Sequence, residues 1–304
     1  MMNKQELATG FKSGGEKWVL GLAITLTYVL MIFGNVVTTT GSGLACPDWP
    51  LCYGTVNPPK EISVWIEWGH RLIGGTTGIF ILASAFLIWK KASSALKFFL
   101  KIAVGLILLA VLLGGAIIIV DAPLLDSVLR ITVVSSHIIV ATVIFTTMIV
   151  AYYSVSSGTS AGRRNYQLGL FALVYLQIVL GIIVRYSRSS MACPDWPLCQ
   201  GSLLPPLFTP EVMLHYTHRL VAYTVFFITL WDLVRTVRAG DNYQRSAVTF
   251  GLVLLQASIG IGIIQSQMFL PLLVLHGAVG FLFLGWVAYL GAPFIAPAQV
   301  ASES

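Results

Sequence analysis

Eight apolar stretches, each 20 residues or longer, run through this 304-residue chain at about 18–39, 65–89, 98–120, 129–153, 166–187, 212–234, 247–266 and 270–291. A helix needs roughly 20 such residues to cross the hydrocarbon core of a bilayer. No water is available there, so the backbone must satisfy its own hydrogen bonds, which at this segment length the α-helix does. Composition agrees, with 57% of residues apolar and 10% charged, against roughly 25% charged in a soluble domain. A soluble globular enzyme and a disordered chain are both excluded. A net charge of +6 would suggest nucleic acid in a soluble protein, but no basic run with interleaved aromatics occurs. The expected fold is an all-α polytopic membrane protein.

Charged or Gly/Pro/Ser-rich joints separate the stretches: Lys90-Lys91, Asp121-Ala122-Pro123, Ser156-Ser157-Gly158, and Arg235 to Asp241. The first stretch is too long for the apolar region of a signal peptide and is followed by no A-x-A site, so it reads as a retained helix. Orientation follows from counting Lys and Arg by side. One side holds Lys4, Lys12, Lys17, Lys90, Lys91, Lys97, Lys101, Arg163, Arg164, Arg235, Arg238 and Arg245; the other holds Lys60, Arg71, Arg130, Arg185, Arg188 and Arg219. The protein is therefore expected in the cell (inner) membrane, with both termini in the cytoplasm.

An internal repeat sets the architecture. Cys46-Pro-Asp-Trp-Pro-Leu-Cys52 recurs without change as Cys193-Pro-Asp-Trp-Pro-Leu-Cys199. Gly34 and Gly181 match at the same offset, and His70-Arg71-Leu72 matches His218-Arg219-Leu220 one residue out of step. Two halves of four helices follow, about 1–157 and 158–304. An even number of spans gives both halves the same orientation, so they are expected as parallel, pseudo-symmetric four-helix bundles.

All four cysteines lie in the repeated loops, on the outer side by the charge count. Paired cysteines outside the cytoplasm are normally oxidised, and the C-x5-C spacing favours Cys46–Cys52 and Cys193–Cys199 disulfides. Such a loop serves either as a structural staple or, if the bond is exposed and labile, as a redox-active dithiol; a four-cysteine metal site is the third reading.

The five histidines point to the chemistry. His70, His137, His218 and His276 fall one per even-numbered helix, at matched depth below the outer surface. A single ionisable group in a span often only bridges helices, but four in a duplicated frame read as ligands. Two imidazoles per half suit a six-coordinate iron in a planar macrocycle better than tetrahedral zinc. Small residues near them (Gly74, Gly75, Gly78, Ala222, Gly277 and Gly280) would leave room for a flat ligand, although membrane helices use such residues for packing too. Arg71 and Arg219 would suit the carboxylates of a porphyrin. The halves differ at one position. Glu67 stands three residues before His70, and His215 three before His218. A carboxylate one turn from a ligand can act as general acid/base, whereas His215 would contact a propionate.

Taken together, the eight spans, Glu67-Trp68-Gly69-His70-Arg71, His137, His218-Arg219, His276 and the outer-loop Trp-Pro-Leu-Cys resemble the haem A synthase family over nearly the whole chain. The resemblance implies an oxidoreductase that converts the C8 methyl of haem O to the formyl of haem A by successive hydroxylations, with oxygen from water. It implies that His70 and His137 bind the substrate haem, that Glu67 assists its oxidation, and that His218 and His276 hold a haem b. It also implies haem O synthase upstream, an electron acceptor in the membrane, and terminal oxidases as the destination; a homo-oligomer is compatible with it. Two other classes share part of the pattern. A di-haem b cytochrome for quinol-linked electron transfer explains the four histidines but not Glu67, and a quinone-linked disulfide oxidoreductase explains only the cysteines.

Overall fold

The computed structural model describes residues 14–121, 128–156, 164–206 and 208–295. Lys4, Lys12 and Arg163 of the charge count, and the Ala122-Pro123 and Ser157-Gly158 joints, lie outside the described residues. Among the described residues eight helices are long and apolar enough to cross a membrane. They are α1 (Gly14–Thr39), α2 (Ile62–Trp89), α3 (Ser94–Asp121), α4 (Val128–Val155), α5 (Arg164–Tyr186), α6 (Pro210–Arg238), α7 (Gln244–Gln265) and α8 (Leu270–Ile295).

Most helices extend beyond the apolar stretch that announced them, and in α1 and α6 the polar ends find partners. Glu16 enters α1 by pairing with Lys91 Nζ at 2.7 Å, and α6 runs on to Arg238 with Arg235 3.7 Å from Asp232. The start of α6 is set by Thr209, whose hydroxyl accepts the Val212 N–H, and by Pro210 in the first turn, where its missing N–H costs nothing. Several buried hydroxyls are satisfied within their own helices: Thr27 donates to Ala23 O, Ser84 to Phe80 O and Thr229 to Val225 O, the local solution for groups without water.

Helices α1, α2, α3 and α4 pack in a closed ring, as do α5, α6, α7 and α8; α1 and α4 meet α8 and α5 between the rings. Apolar clusters such as Leu20, Ile88, Leu100 and Met148, and Leu170, Val253 and Leu284, fill the end away from the cysteine loops. Outward faces are apolar as well, with Phe86 81%, Ile79 67% and Leu112 67% exposed. A water-soluble protein would not carry such a surface, whereas a lipid-facing one must. With the far end filled by side chains, the loop end is left open around a cavity of about 1820 Å³ lined from all eight helices.

Candidate functional site

The four histidines predicted as ligands all line this cavity. His70 and His218 each stand eight residues past the first residue of their helices, roughly 12 Å along the axis, so the duplicated frame brings them to one level. Each of the four rings rests on a glycine of the preceding helix. A Cβ at Gly34 would stand 3.0 Å from His70 Cε1, at Gly114 3.5 Å from His137 Cε1, at Gly181 3.1 Å from His218 Cε1, and at Gly260 3.2 Å from His276 Cε1. At Gly34, Gly181 and Gly260 even a methyl would press on the ring, whereas at Gly114 it would make an ordinary contact.

One turn before three of these glycines lies a backbone carbonyl that faces the ring. His137 Nδ1 lies 2.9 Å from Ala110 O. His218 and His276 turn Nδ1 toward the Gln177 and Gln256 carbonyls without reaching hydrogen-bond geometry, and His70 Nδ1 is buried without a partner. With Nδ1 engaged or sealed in protein, Nε2 is the nitrogen left for the cavity at His70, His137 and His276, which is how a metal-ligating histidine is prepared. His218 is the exception: the Gln177 amide nitrogen lies 3.2 Å from its Nε2 and would have to turn away before that nitrogen could bind a metal.

The donor set fits a haem. Each half pairs two imidazoles across open space, near enough for His137 to act electrostatically on His70 and His276 on His218. Among the described residues no three His, Cys, Asp or Glu side chains gather as ligands for a bare metal ion, so the tetrahedral zinc and four-cysteine alternatives have no site there. The volume exceeds the roughly 300–1,000 Å³ of a pocket for one small ligand. Gly75 and Gly78 look onto open space, as a flat ligand would require. Gly74, Gly277 and Gly280 do not: their faces meet Leu30, Asn35 and Gln256. They make room for protein rather than for a macrocycle.

The arginines do more for the loops than porphyrin carboxylates would need. Arg71 donates through Nη1 to Asp48 O at 2.6 Å and to Leu51 O, and through Nη2 to Cys46 O at 3.3 Å; Nε pairs with Glu67 Oε1 at 2.9 Å. Arg219 repeats this with Asp195 O and Leu198 O, both at 2.7 Å, and Cys193 O at 2.6 Å. Of five guanidinium N–H groups, four are taken at Arg71 and at least three at Arg219, so one, or at Arg219 at most two, are left for a propionate. Each His-Arg pair thus ties a cysteine loop to the helix that bears a cavity-lining histidine.

The loops close as Cys46–Cys52 and Cys193–Cys199 disulfides, with Cα–Cα distances of 4.9 and 4.6 Å. Their sulfurs are not exposed, contrary to the premise of the labile-dithiol reading. All four cysteines are buried, packed on Val64 and Trp68 in one loop and Val212 in the other, because the arginine draws each loop down onto its helix. Tyr53-Gly54 and Gln200-Gly201 take positive φ at both positions, as a type I′ turn requires. Asp48 and Asp195 hold these turns, each carboxylate accepting two backbone N–H groups at 2.6–2.8 Å. The Gly54 and Tyr53 N–H groups keep the Asp48 carboxyl below its usual range. At Asp195 desolvation opposes the shift, but the Gly201 and Gln200 N–H groups outweigh it and the carboxyl is again lowered. Trp49 and Trp196 line the cavity, and the Trp49 ring covers Gly115, beside the Gly114 seat of His137.

Glu67 is buried, with 8% of its side chain exposed, and lines the cavity; it is not a solvated helix-start acid. His215 takes the matching place, with Nε2 3.3 Å from Arg219 Nε and Nδ1 facing the Cys193 N–H at 3.3 Å. A neutral imidazole can accept only one of these, so His215 serves as a loop strut where Glu67 presents a carboxylate. Gly114, Gly260, Asp48 and Asp195 were missed by sequence reasoning. The two aspartates stand inside the repeated seven-residue motif and could have been found there.

The chain matches the family COX15-CtaA, cytochrome oxidase assembly protein, over residues 16–64 and 59–288. It is 30% identical over 275 residues to the Heme A synthase of Bacillus licheniformis, covering 84% of this chain and 89% of that protein. It is 31% identical over 298 residues to the Heme A synthase of Symbiobacterium thermophilum, covering 89% and 93%. The Heme A synthase of Staphylococcus saprophyticus is 29% identical over 92% of this chain.

Proposed function

The chain belongs to the cytochrome oxidase assembly protein family COX15-CtaA, and from that membership we propose that it carries out the haem A synthase reaction in a cell membrane. Haem O is the substrate and haem A the product. The C8 methyl carbon passes to the alcohol and then to the hydrated aldehyde, each step taking one oxygen from water and releasing two electrons and two protons. Loss of water from the second product leaves the formyl group. The electrons go to an acceptor in the membrane, haem O synthase supplies the substrate, and terminal oxidases take the product.

In this reading residues 1–157 form the catalytic half and 158–304 the cofactor half. His70 and His137 hold the substrate haem through Nε2, and Gly75 and Gly78 leave the wall open beside it. His218 and His276 hold a haem b, which supplies a one-electron relay when bound. The N–H groups left on Arg71 and Arg219 would serve a propionate, and His215 stays with the rear loop. Both termini lie in the cytoplasm and the cysteine loops outside.

The observation that carries the reading is the asymmetry at one repeated position. Glu67 puts a buried carboxylate on the cavity wall one turn from His70, where the other half has His215. Arg71 holds Oε1, which leaves Oε2 to take the proton released as the methyl carbon is oxidised and to orient the incoming water. An electron-shuttling di-haem cytochrome has no use for this group, and the relatives named above are Heme A synthases. The test is the optical spectrum and extracted haem of the purified protein. A low-spin b-type spectrum that His276→Ala shifts or abolishes supports the rear assignment; an unchanged spectrum and haem content in that variant refutes it.

A further inference from the structure

The two histidine sites share one element outside their own helices. Gly34 of α1, in the front ring, is the seat of His70. The next residue, Asn35, reaches the other way, into the rear ring. Its Nδ2 donates to Leu273 O at 3.2 Å and to Val274 O at 3.3 Å on α8, the carbonyls three and two residues before His276. The amide orientation is fixed by its other end, because Thr39 donates to Asn35 Oδ1 at 3.2 Å and Arg185 Nη2 donates to Thr39 Oγ1 at 2.6 Å. Arg185 in turn lines the cavity. Asn35, Thr39 and Arg185 therefore form a continuous polar seam between the two rings.

Gly277, immediately after His276, is there for this contact: a Cβ on it would collide with Asn35 Nδ2. On its other side His276 rests against Gly260 of α7. The rear ligand is thus indexed twice, through its ring by α7 and through its backbone by a residue of the front half. We propose that the Gly34-Asn35 step of α1 is a shared register for the two sites, and that Asn35 is a positioning residue for the haem ligand His276. This rests on the reading of His218 and His276 as ligands of a resident haem. A carbonyl that accepts a second hydrogen bond holds its turn of helix against rotation, and rotation of α8 here would swing Nε2 of His276.

The test uses the purified full-length protein with its bound haem. Electron paramagnetic resonance reads the axial-ligand field of the oxidised low-spin haem, and a redox titration reads its midpoint. Asn35→Ala and Gly277→Ala should each shift the resonance and the midpoint while haem content stays near the parent value. The double variant should behave like Asn35→Ala alone, because the added methyl at 277 then has nothing to strike. Should Asn35→Ala fail to accumulate, Asn35→Asp keeps the volume and the Thr39 acceptor, removes the amide donor, and carries the same expectation. Trp286→Phe is the control: it removes another hydrogen bond of α8, to Thr249 Oγ1 at 2.9 Å, ten residues past His276 and roughly 15 Å along the axis, and should leave both signals in place. Unchanged signals in the Asn35 and Gly277 variants, or an equal shift in Trp286→Phe, would overturn the inference while leaving the functional reading intact. A parent protein that binds no haem would overturn both.

Discussion

Glu67 and the four glycine seats are where single side chains decide what this protein can do. Glu67 is not needed to hold iron, so Glu67→Gln should leave the haem spectrum and the yield of detergent-extracted protein close to the parent. Product formation should fall by about 10²–10⁴-fold, the usual cost of removing a positioned acid/base, with haem O or its hydroxymethyl form accumulating. His215→Gln is the matched control and should do much less to turnover; near-normal haem A in Glu67→Gln would return that residue to a loop-holding role beside Arg71. The seats make a separate prediction. Gly34→Ala and Gly181→Ala put a methyl within about 3 Å of a ring carbon, and overpacking of this kind typically costs about 1–3 kcal/mol. Each should lower haem retention at its own site, as read by haem-to-protein ratio, whereas Gly105→Ala and Gly169→Ala, which face open space, should not. The histidines and Glu67 were legible in the sequence because a polar group in an apolar span stands out. The seats were only half legible. Gly34 and Gly181 keep the repeat offset, but Gly114 and Gly260 stand 23 and 16 residues before their histidines, so unequal connections hide the correspondence.

At the scale of the element, each cysteine loop is a small unit built around a guanidinium and stapled by a disulfide. Alkylation of unreduced protein should find no reactive thiol at Cys46, Cys52, Cys193 or Cys199, and brief treatment with a bulky reductant should not expose them, because the sulfurs are buried. Ready labelling of all four would contradict the closed loops. The aspartate clamps give a pH dependence whose sign follows from their lowered carboxyls. A carboxyl lowered in the folded chain stabilises it above the ordinary Asp value near 3.9, and that stabilisation is lost as pH falls through the folded value. Intrinsic-rate-corrected amide protection at Tyr53, Gly54, Gln200 and Gly201 should therefore be flat from about pH 8 to 5 and decline only below about pH 4. Asp48→Ala should remove it at Tyr53 and Gly54 at neutral pH and leave the rear loop protected. The seven-residue repeat announced these loops, and the cysteine spacing suggested their pairing. What the sequence could not reveal was burial, because Arg71 and Arg219 lie some twenty residues downstream and nothing in a linear pattern says that their donors turn back to loop carbonyls.

For the whole molecule, eight spans and their duplication were readable because lipid leaves the backbone so few options. The way the halves meet was not. That interface is made by α1, α4, α5 and α8, in part from side chains such as Asn35 and Arg185 that have no counterpart in the repeat. The resulting shape, sealed at one end by apolar packing and open at the other around a cavity lined from both rings, would, in the proposed reading, let a substrate haem and a resident haem share one protein with a single carboxylate serving the first. The most direct test of that account is haem extraction with mass analysis from membranes in which this chain is produced together with a haem O synthase, in a host that makes no haem A of its own. The expected result is haem A in the extract, absent when Glu67→Gln replaces the parent chain. An extract holding haem O and haem b but no haem A, from membranes in which the parent protein is folded and carries haem, would contradict it.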